Sequence, residues 1–169
     1  MKTEKKIVSY AQLKSRLPKL RKGKKVVIAT GTFDLLHAGH VDFLEFAKRH
    51  GDLLIVGFGS DRTVKMYKGE ARPIVPEEAR ARLLAGLEAV DLVVCMDEDP
   101  IDKIGGRNFF KIVKPDVWVV PDQDHNPAGV RIFAKELGTK LVINKRVPPK
   151  GINFPISTSF FVKKLKKNK

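Results

Sequence analysis

A chain of 169 residues with 43% hydrophobic and 31% charged residues has the composition of a single soluble globular domain. Its one cysteine excludes an internal disulfide, and no apolar run reaches the ~20 residues that cross a bilayer. Because the first residues lack the apolar core of a signal peptide, we expect a cytoplasmic protein without a transmembrane segment.

The net charge of +14 lies in two terminal segments. Residues 1–25 hold ten basic residues and one glutamate, residues 163–169 hold five lysines and no acid, and residues 26–162 are neutral. We therefore divide the chain into a basic N-terminal extension with a short helix, a neutral domain, and a basic tail that ends the last helix. The basic ends either keep the protein soluble or make weak contacts with a polyanion.

The first predicted element is a short basic helix. Ser9 and Gln12 fit a capping box, which places the helix start at residue 10. We expect it to stop near Leu17, because Pro18 cannot continue a helix.

Apolar runs then alternate with segments of helical spacing through the rest of the chain. The predicted strands are residues 26–30, 53–58, 92–96, 117–120 and 140–143. The predicted helices are residues 39–50, a short one capped by Ser60, one begun by Pro76, residues 101–114, residues 128–137, and a last one from the 157–159 cluster. Continuous apolar strands between helices predict an α/β fold, a Rossmann-like, doubly wound, parallel five-stranded sheet with helices on both faces.

The stretch over residues 26–40 carries the strongest functional signal. A buried strand runs into a loop that begins with Gly31, and a helix follows at once, with His37 and His40 spaced i, i+3 in its first turn. A helix N-terminus offers free N–H groups and a positive dipole end, which favours an anion such as phosphate. If the first and fourth strands are neighbours, the polar loop over residues 121–127 faces this site across one crevice.

Residues 31–40 read Gly-Thr-Phe-Asp-x-x-His-x-Gly-His, and a serine/threonine cluster opens the last helix at residues 157–159. These two elements resemble the signature of the cytidylyltransferase-like nucleotidylyltransferases, and the resemblance spans about residues 24 to 166. Further segments look most like heptose-phosphate adenylyltransferases, and glycerol-phosphate and ethanolamine-phosphate cytidylyltransferases are similar too. Those segments are residues 68–73, 76–80, 89–91 and 98–100.

The resemblance implies an enzyme that transfers a nucleoside monophosphate from ATP or CTP to a small phosphorylated sugar or polyol and releases pyrophosphate. It also implies Mg²⁺ with the triphosphate and, by analogy, a homodimer. The attacking phosphate is already an anion at pH 7, so the reaction needs positioning and charge stabilisation rather than a general base. Two alternatives stay open: an FAD synthetase acting on FMN, and a non-catalytic polyanion-binding protein on the same fold.

The resemblance also assigns site residues, and no metal ligand is among them. The expected catalytic residues are His37, His40 and Lys68. The expected nucleotide-binding residues are Gly31, Thr32, Phe33, Gly39, His40, Asp122, Asp124, Ser157, Thr158 and Ser159. The expected substrate-binding residues are Asp34, Lys65, Lys68, Arg72 and Arg80.

Several of these assignments have a structural alternative. Phe33 could belong to the core, Asp34 could orient its loop, and Arg80 could be an ordinary exposed helix residue. One hydroxyl of residues 157–159 could simply cap the helix.

The chain differs from its relatives at two points. Pro121 and Asp122 stand where relatives carry a glycine-aspartate motif, and Ile152 stands where many cytidylyltransferases carry an arginine. Arg146 and Lys150 are the candidates to replace that arginine. Both differences concern nucleotide binding, so the base and the acceptor stay open.

Overall fold

The computed structural model describes residues 3–99, 104–122, 126–145 and 157–167. In these ranges five strands and seven α-helices follow a short 3-10 turn at Glu4–Lys6. The strands are β1 (Val26–Gly31), β2 (Leu53–Gly59), β3 (Leu92–Met96), β4 (Val117–Pro121) and β5 (Lys140–Asn144). The helices are α1 (Tyr10–Leu20), α2 (Ala38–Lys48), α3 (Asp61–Lys68), α4 (Glu77–Gly86), α5 (Arg107–Val113), α6 (Pro127–Glu136) and α7 (Thr158–Lys167).

The five strands form one parallel sheet in the order β3-β2-β1-β4-β5. In the register, Val27 of β1 lies between Leu54 of β2 and Val117 of β4. The strand order therefore reverses between β1 and β4, which confirms the predicted sheet and meets the condition that the first and fourth strands are neighbours. In an open α/β sheet, ligands bind beyond the carboxyl ends of the strands at such a reversal.

Side chains of β1 alternate between two hydrophobic cores, one on each face of the sheet. Val26 and Ile28 belong to a core closed by α1, α5 and α6. Val27 and Ala29 belong to a core closed by α2 and α4. Helices therefore cover both faces, as the continuous apolar strands predicted.

The N-terminal helix α1 packs into the same core as the sheet. Its start is the predicted capping box, in which Ser9 and Gln12 exchange side-chain and backbone hydrogen bonds. Leu13 and Leu17 are buried beside Val26 and α5. The basic residues of this segment therefore lie on the outer face of a helix that belongs to the folded body.

The predicted end of α1 near Leu17 is wrong, because the helix continues through Pro18 to Leu20. Proline removes one N–H from the hydrogen-bond ladder. Tertiary contacts offset this loss, since the Arg21 guanidinium donates to the carbonyls of Val113 and Lys114 at 2.9 and 3.2 Å.

Two other boundaries differ from the sequence prediction. Pro76 caps α4 instead of forming its first residue. Helix α5 begins at Arg107, after Gly106 with φ 78°, so it is shorter than the predicted 101–114; residues 100–103 lie outside the described ranges. In the part of the chain that the structure describes, no helix has the length and hydropathy to cross a membrane.

The burial of α1 predicts that truncating Leu13 destabilises the whole domain. Leu13→Ala removes a side chain with no exposed surface and should lower the free energy of unfolding by about 3 kcal/mol. The matched control is Lys14→Ala, an exposed neighbour, which should change it by less than about 0.5 kcal/mol. Urea denaturation measures both, and equal stabilities of the two variants would contradict the packing of α1.

Candidate active site

The motif over residues 31–40 begins with a loop at the carboxyl edge of the sheet, beside the reversal of strand order. β1 ends at Gly31, and α2 begins at Ala38 with His37 as its N-cap in extended backbone conformation. Across the reversal, the Trp118 indole N–H of β4 donates to the Thr30 hydroxyl of β1 at 3.3 Å. No sequence pattern predicted this contact, which joins the two strands next to the loop.

His37 and His40 stack on each other at the start of α2. Their ring centroids are 3.8 Å apart with planes 17° from parallel, so the two predicted catalytic histidines point to the same place. Phe33 meets His40 edge-on at 5.3 Å, and Phe161 of α7 lies 6.2 Å from His37. Two half-buried imidazoles thus lie at a helix N-terminus, where N–H groups and the helix dipole favour an anion.

Phe33 is a core residue and also shapes the loop. Its ring is 4% exposed and belongs to the core beneath α2 and α4, which confirms the structural alternative for the side chain. A Cβ on Gly31 would lie 3.1 Å from that ring, so a larger residue would require the ring to shift by a few tenths of an ångström. Gly39 and Thr32 lie half-buried on either side of the loop.

The buried Asp34 carboxylate contacts Arg72, Ile74 and Val75, and we call this set of contacts the clasp of the motif loop. The Asp34 side chain is 1% exposed, and its carboxylate accepts hydrogen bonds from the backbone N–H groups of Ile74 and Val75 at 2.9–3.1 Å. The Arg72 Nε lies 2.6 Å from Oδ2 of the same carboxylate. Burial on its own raises the pKa of Asp34, but the two N–H donors and the Arg72 charge outweigh it and hold the pKa below its usual range.

These contacts support the alternative that Asp34 orients its loop. They bring Arg72, a predicted substrate-binding residue, to the edge of the motif. Direct contact of either residue with substrate stays a prediction.

Arg80 is completely buried, so the alternative of an exposed helix residue is wrong. All three guanidinium nitrogens donate to protein acceptors, including the carbonyl of Thr32 and the carboxylate of Asp61. The guanidinium also lies 5.1 Å from the centre of the Phe58 ring. The predicted role of Arg80 as an anion clamp stays a prediction, and the contacts that the structure gives are structural.

Lys65 and Lys68 lie in the last turn of α3, and both side chains are exposed. The Lys65 ammonium is 3.8 Å from the Glu70 carboxylate, an exposed pair that contributes little to stability. Partial desolvation and the nearby Arg72 charge lower the pKa of Lys68, although the Asp34 charge opposes them. A lysine with a lowered pKa beside a buried ion pair is a group that an anionic substrate would stabilise.

The start of α7 is tied to the motif loop. The Thr158 hydroxyl donates to the backbone carbonyl of Asp34 at 2.7 Å. The Ser157 hydroxyl accepts from the N–H of Phe160 at 3.1 Å, which is the predicted helix-capping role of one of the three hydroxyls. Ser159 is exposed. The N-termini of α2 and α7 are therefore joined by one loop.

Asp122 lies on the other side of the reversal. It is exposed just beyond β4, and its N–H donates to the Asn144 carbonyl at 3.0 Å. It lines a small groove with Pro127, Arg131 and Ile143, of which Arg131 was not predicted. Asp124 lies outside the described residues, as do Arg146, Lys150 and Ile152.

Comparisons with known proteins show which families and folds the chain is similar to. The family model described as cytidylyltransferase-like matches residues 28–164. The bifunctional protein HldE of Methylobacillus flagellatus is 38% identical over 165 residues, which is 95% of this chain and 31% of that protein. The chain spans between about a fifth and a third of the length of the curated relatives that it matches.

Two solved structures share the fold. The lipopolysaccharide core biosynthesis protein of Thermoplasma volcanium has a TM-score of 0.61 and 30% identity, covering 74% of this chain and 98% of that one. The pantoate-beta-alanine ligase of Francisella tularensis has a TM-score of 0.65 and 17% identity, covering 95% of this chain and 76% of that one. The second likeness concerns the fold alone.

The clasp predicts a pH-dependent contribution of Asp34 to stability. Its pKa is lower in the folded state, so the stabilisation is present at neutral pH and is lost as the pH falls below about 4. Asp34→Asn should cost about 3 kcal/mol at pH 7, because it leaves Arg72 without its buried partner. Urea denaturation at several pH values measures the difference.

The matched control is Asp42→Asn, at an exposed position on α2, which should change stability by less than about 0.5 kcal/mol. A difference between wild type and Asp34→Asn that stays constant from pH 7 to pH 3 would contradict the assigned clasp.

Proposed function

The chain belongs to the cytidylyltransferase-like family, and from this premise we propose that it is a nucleotidyltransferase acting on a small phosphorylated sugar. An oxygen of the acceptor phosphate attacks the α-phosphorus of a nucleoside triphosphate. The bond from that phosphorus to the bridging oxygen breaks, and pyrophosphate leaves with the electron pair. The observation that carries the proposal is the stacked pair of His37 and His40 at a helix N-terminus, on the loop that also holds the start of α7.

The nucleotide side of the reaction uses fixed donors. His37 and His40 donate to the triphosphate near the bond that breaks, where negative charge grows in the transition state. The N-termini of α2 and α7 add backbone N–H groups, and the exposed hydroxyl of Ser159 lies at the second of them. Asp122 and its groove lie across the strand reversal, in a position suited to the ribose or the base.

The acceptor side uses cations. Arg72 presents a guanidinium that suits a phosphate, and Lys68 and Lys65 follow on α3. The resemblance of residues 68–73 to heptose-phosphate adenylyltransferases makes a heptose phosphate with ATP the first pair to test. The HldE relatives favour this choice over FMN and over a non-catalytic polyanion-binding role.

A magnesium ion accompanies the triphosphate in this proposal as part of the substrate. Among the residues that the structure describes, no three His, Cys, Asp or Glu side chains form a group that could hold a metal ion. The Asp34 carboxylate already binds two N–H groups and Arg72. This donor set fits an ion that is held by the phosphates. The predicted homodimer rests on the resemblance, the cytoplasmic location rests on the sequence features alone, and both belong to the proposal.

The role of the histidine pair predicts a selective loss of rate. Pyrophosphate release should be measured with ATP and with CTP against a heptose phosphate, glycerol phosphate and FMN. With the productive pair, His40→Ala should lower kcat by about 10²–10³-fold, the usual effect of removing one preorganised donor.

His50→Ala is the matched control, because His50 follows the same helix and contacts the Phe46 carbonyl instead of the loop. It should retain the wild-type rate. An equal rate in His40→Ala would contradict the site, and no turnover with any pair would contradict the proposed function.

The lowered pKa of Lys68 predicts an alkaline limit to activity. If the charged ammonium binds phosphate, the rate falls as the pH rises through its pKa, which lies below that of a free lysine. Lys68→Arg should move this limb to higher pH, because a guanidinium keeps its charge.

The measurement is the pH profile of kcat/KM from pH 7 to pH 10.5. Lys19→Arg, an exposed substitution on α1, should leave the profile unchanged. A limb at the same pH in wild type and Lys68→Arg would assign it to another group.

A further inference from the structure

Arg80 is the most deeply buried of the charged side chains that the structure describes. It is 0% exposed. Its Nη1 donates to the carbonyls of Thr32 at 2.8 Å and Gly59 at 2.7 Å, and its Nε donates to the Val75 carbonyl at 2.9 Å. Its Nη2 lies 2.6 Å from Oδ1 of Asp61. A buried cation is costly unless it is paired and hydrogen-bonded, and here both conditions hold.

Each acceptor belongs to a different segment around the site. Thr32 lies in the motif loop, and Gly59 ends β2. Val75 follows the loop that carries Arg72, and Asp61 begins α3, which carries the two lysines. One guanidinium therefore connects every segment that presents a predicted phosphate-binding group, except the start of α7.

The contact with Thr32 also sets the direction of a backbone donor. A peptide unit is planar and trans, so its N–H points away from its carbonyl oxygen. The Thr32 carbonyl points at the buried guanidinium, and the N–H of the same peptide, that of Phe33, therefore points to the opposite, outer side of the loop. The positive φ of Phe33, 51°, shows that this turn is held in a conformation that L-residues rarely adopt.

We propose that Arg80 is a positioning residue for nucleotidyl transfer, and the proposal rests on the function proposed above. It does not contact substrate. It holds the motif loop by the Thr32 carbonyl, so that the Phe33 N–H faces the triphosphate, and it holds the Arg72 loop and α3 at a set distance from that donor. This role differs from the anion clamp that the resemblance suggested.

Lysine cannot take over this role. A guanidinium presents five N–H donors in a rigid plane, whereas an ammonium is a compact point charge on a flexible stem. Arg80→Lys keeps the charge beside Asp61 and loses the simultaneous contacts with three carbonyls. A loop displaced by about 1 Å lowers the rate about 10²-fold even when the substrates still bind.

The experiment compares kcat and KM of Arg80→Lys with those of Leu84→Ala. Leu84 lies one turn further on α4 and is also 0% exposed, but its side chain has no donor for these carbonyls. Both variants should lose stability in urea. Under conditions where both are folded by circular dichroism, Arg80→Lys should lose about 10²-fold in kcat with KM within about threefold, and Leu84→Ala should keep the wild-type kcat.

A second readout does not require turnover. In protein labelled with ¹⁵N-phenylalanine, the Phe33 amide resonance, assigned with Phe33→Leu, should shift when magnesium ATP is added to wild type. It should shift much less in folded Arg80→Lys. If Arg80→Lys does not fold, Asp61→Asn is the substitute, because it leaves the buried guanidinium without its counterion and so weakens its hold on the carbonyls, and it should lower kcat about fivefold.

The outcomes separate the two proposals. No turnover in wild type with any substrate pair contradicts the proposed function, and the Phe33 resonance then decides the role of Arg80. Normal turnover with a wild-type kcat in Arg80→Lys, or in its substitute Asp61→Asn, overturns the positioning role alone. The same Phe33 shift in wild type and Arg80→Lys also overturns it.

Discussion

The rest of the site depends on the contacts of one buried group, the Asp34 carboxylate. It lies between Phe33 and Leu35, whose φ angles of 51° and 49° place both backbones in the left-handed region. Such residues cost about 1–3 kcal/mol each and persist only where their surroundings hold them. Here the N–H groups of Ile74 and Val75 and the charge of Arg72 hold the carboxylate. Hydrogen bonds to a charged group are the stronger kind, so they can maintain a strained turn.

Val75 is the residue at which two buried charges act on one loop. Its N–H donates to Asp34 and its carbonyl accepts from Arg80, both at 2.9 Å. Each charge has its own counterion, Arg72 for the carboxylate and Asp61 for the guanidinium. The two ion pairs therefore hold Val75 by its N–H and by its carbonyl. Loss of the counterion Arg72 or Asp61 leaves Asp34 or Arg80 buried without a compensating charge. This coupling makes the loop before α4 part of the site, although its side chains are mostly apolar.

Local properties of the sequence predicted the fold, but they predicted only part of the site. Apolar runs and helical spacing predicted the five parallel strands, and the i, i+3 spacing predicted that His37 and His40 would point together. The roles of Asp34 and Arg80 depend on partners 40 and 48 residues away, which no local pattern specifies. For the same reason the sequence could not show that tertiary contacts carry α1 through Pro18. The structural alternative for Arg80, an exposed helix residue, followed from the usual exposure of arginine, and its tertiary contacts override that tendency here.

The arrangement also has a consequence for how catalysis and stability relate. Donors that are held in place before the substrate binds need no reorganisation when charge develops on the phosphorus, and this is the largest source of rate in reactions of this kind. Holding them requires two left-handed residues and the burial of two charges, Asp34 and Arg80, and each of these features costs free energy of folding compared with an apolar core. A variant with hydrophobic residues in place of Arg80 and Asp61 removes the ion pair but leaves the carbonyls of Thr32, Gly59 and Val75 without their donor. Buried acceptors without donors are costly, so this variant loses stability together with the constraint that aims the loop, and stability and rate fall together.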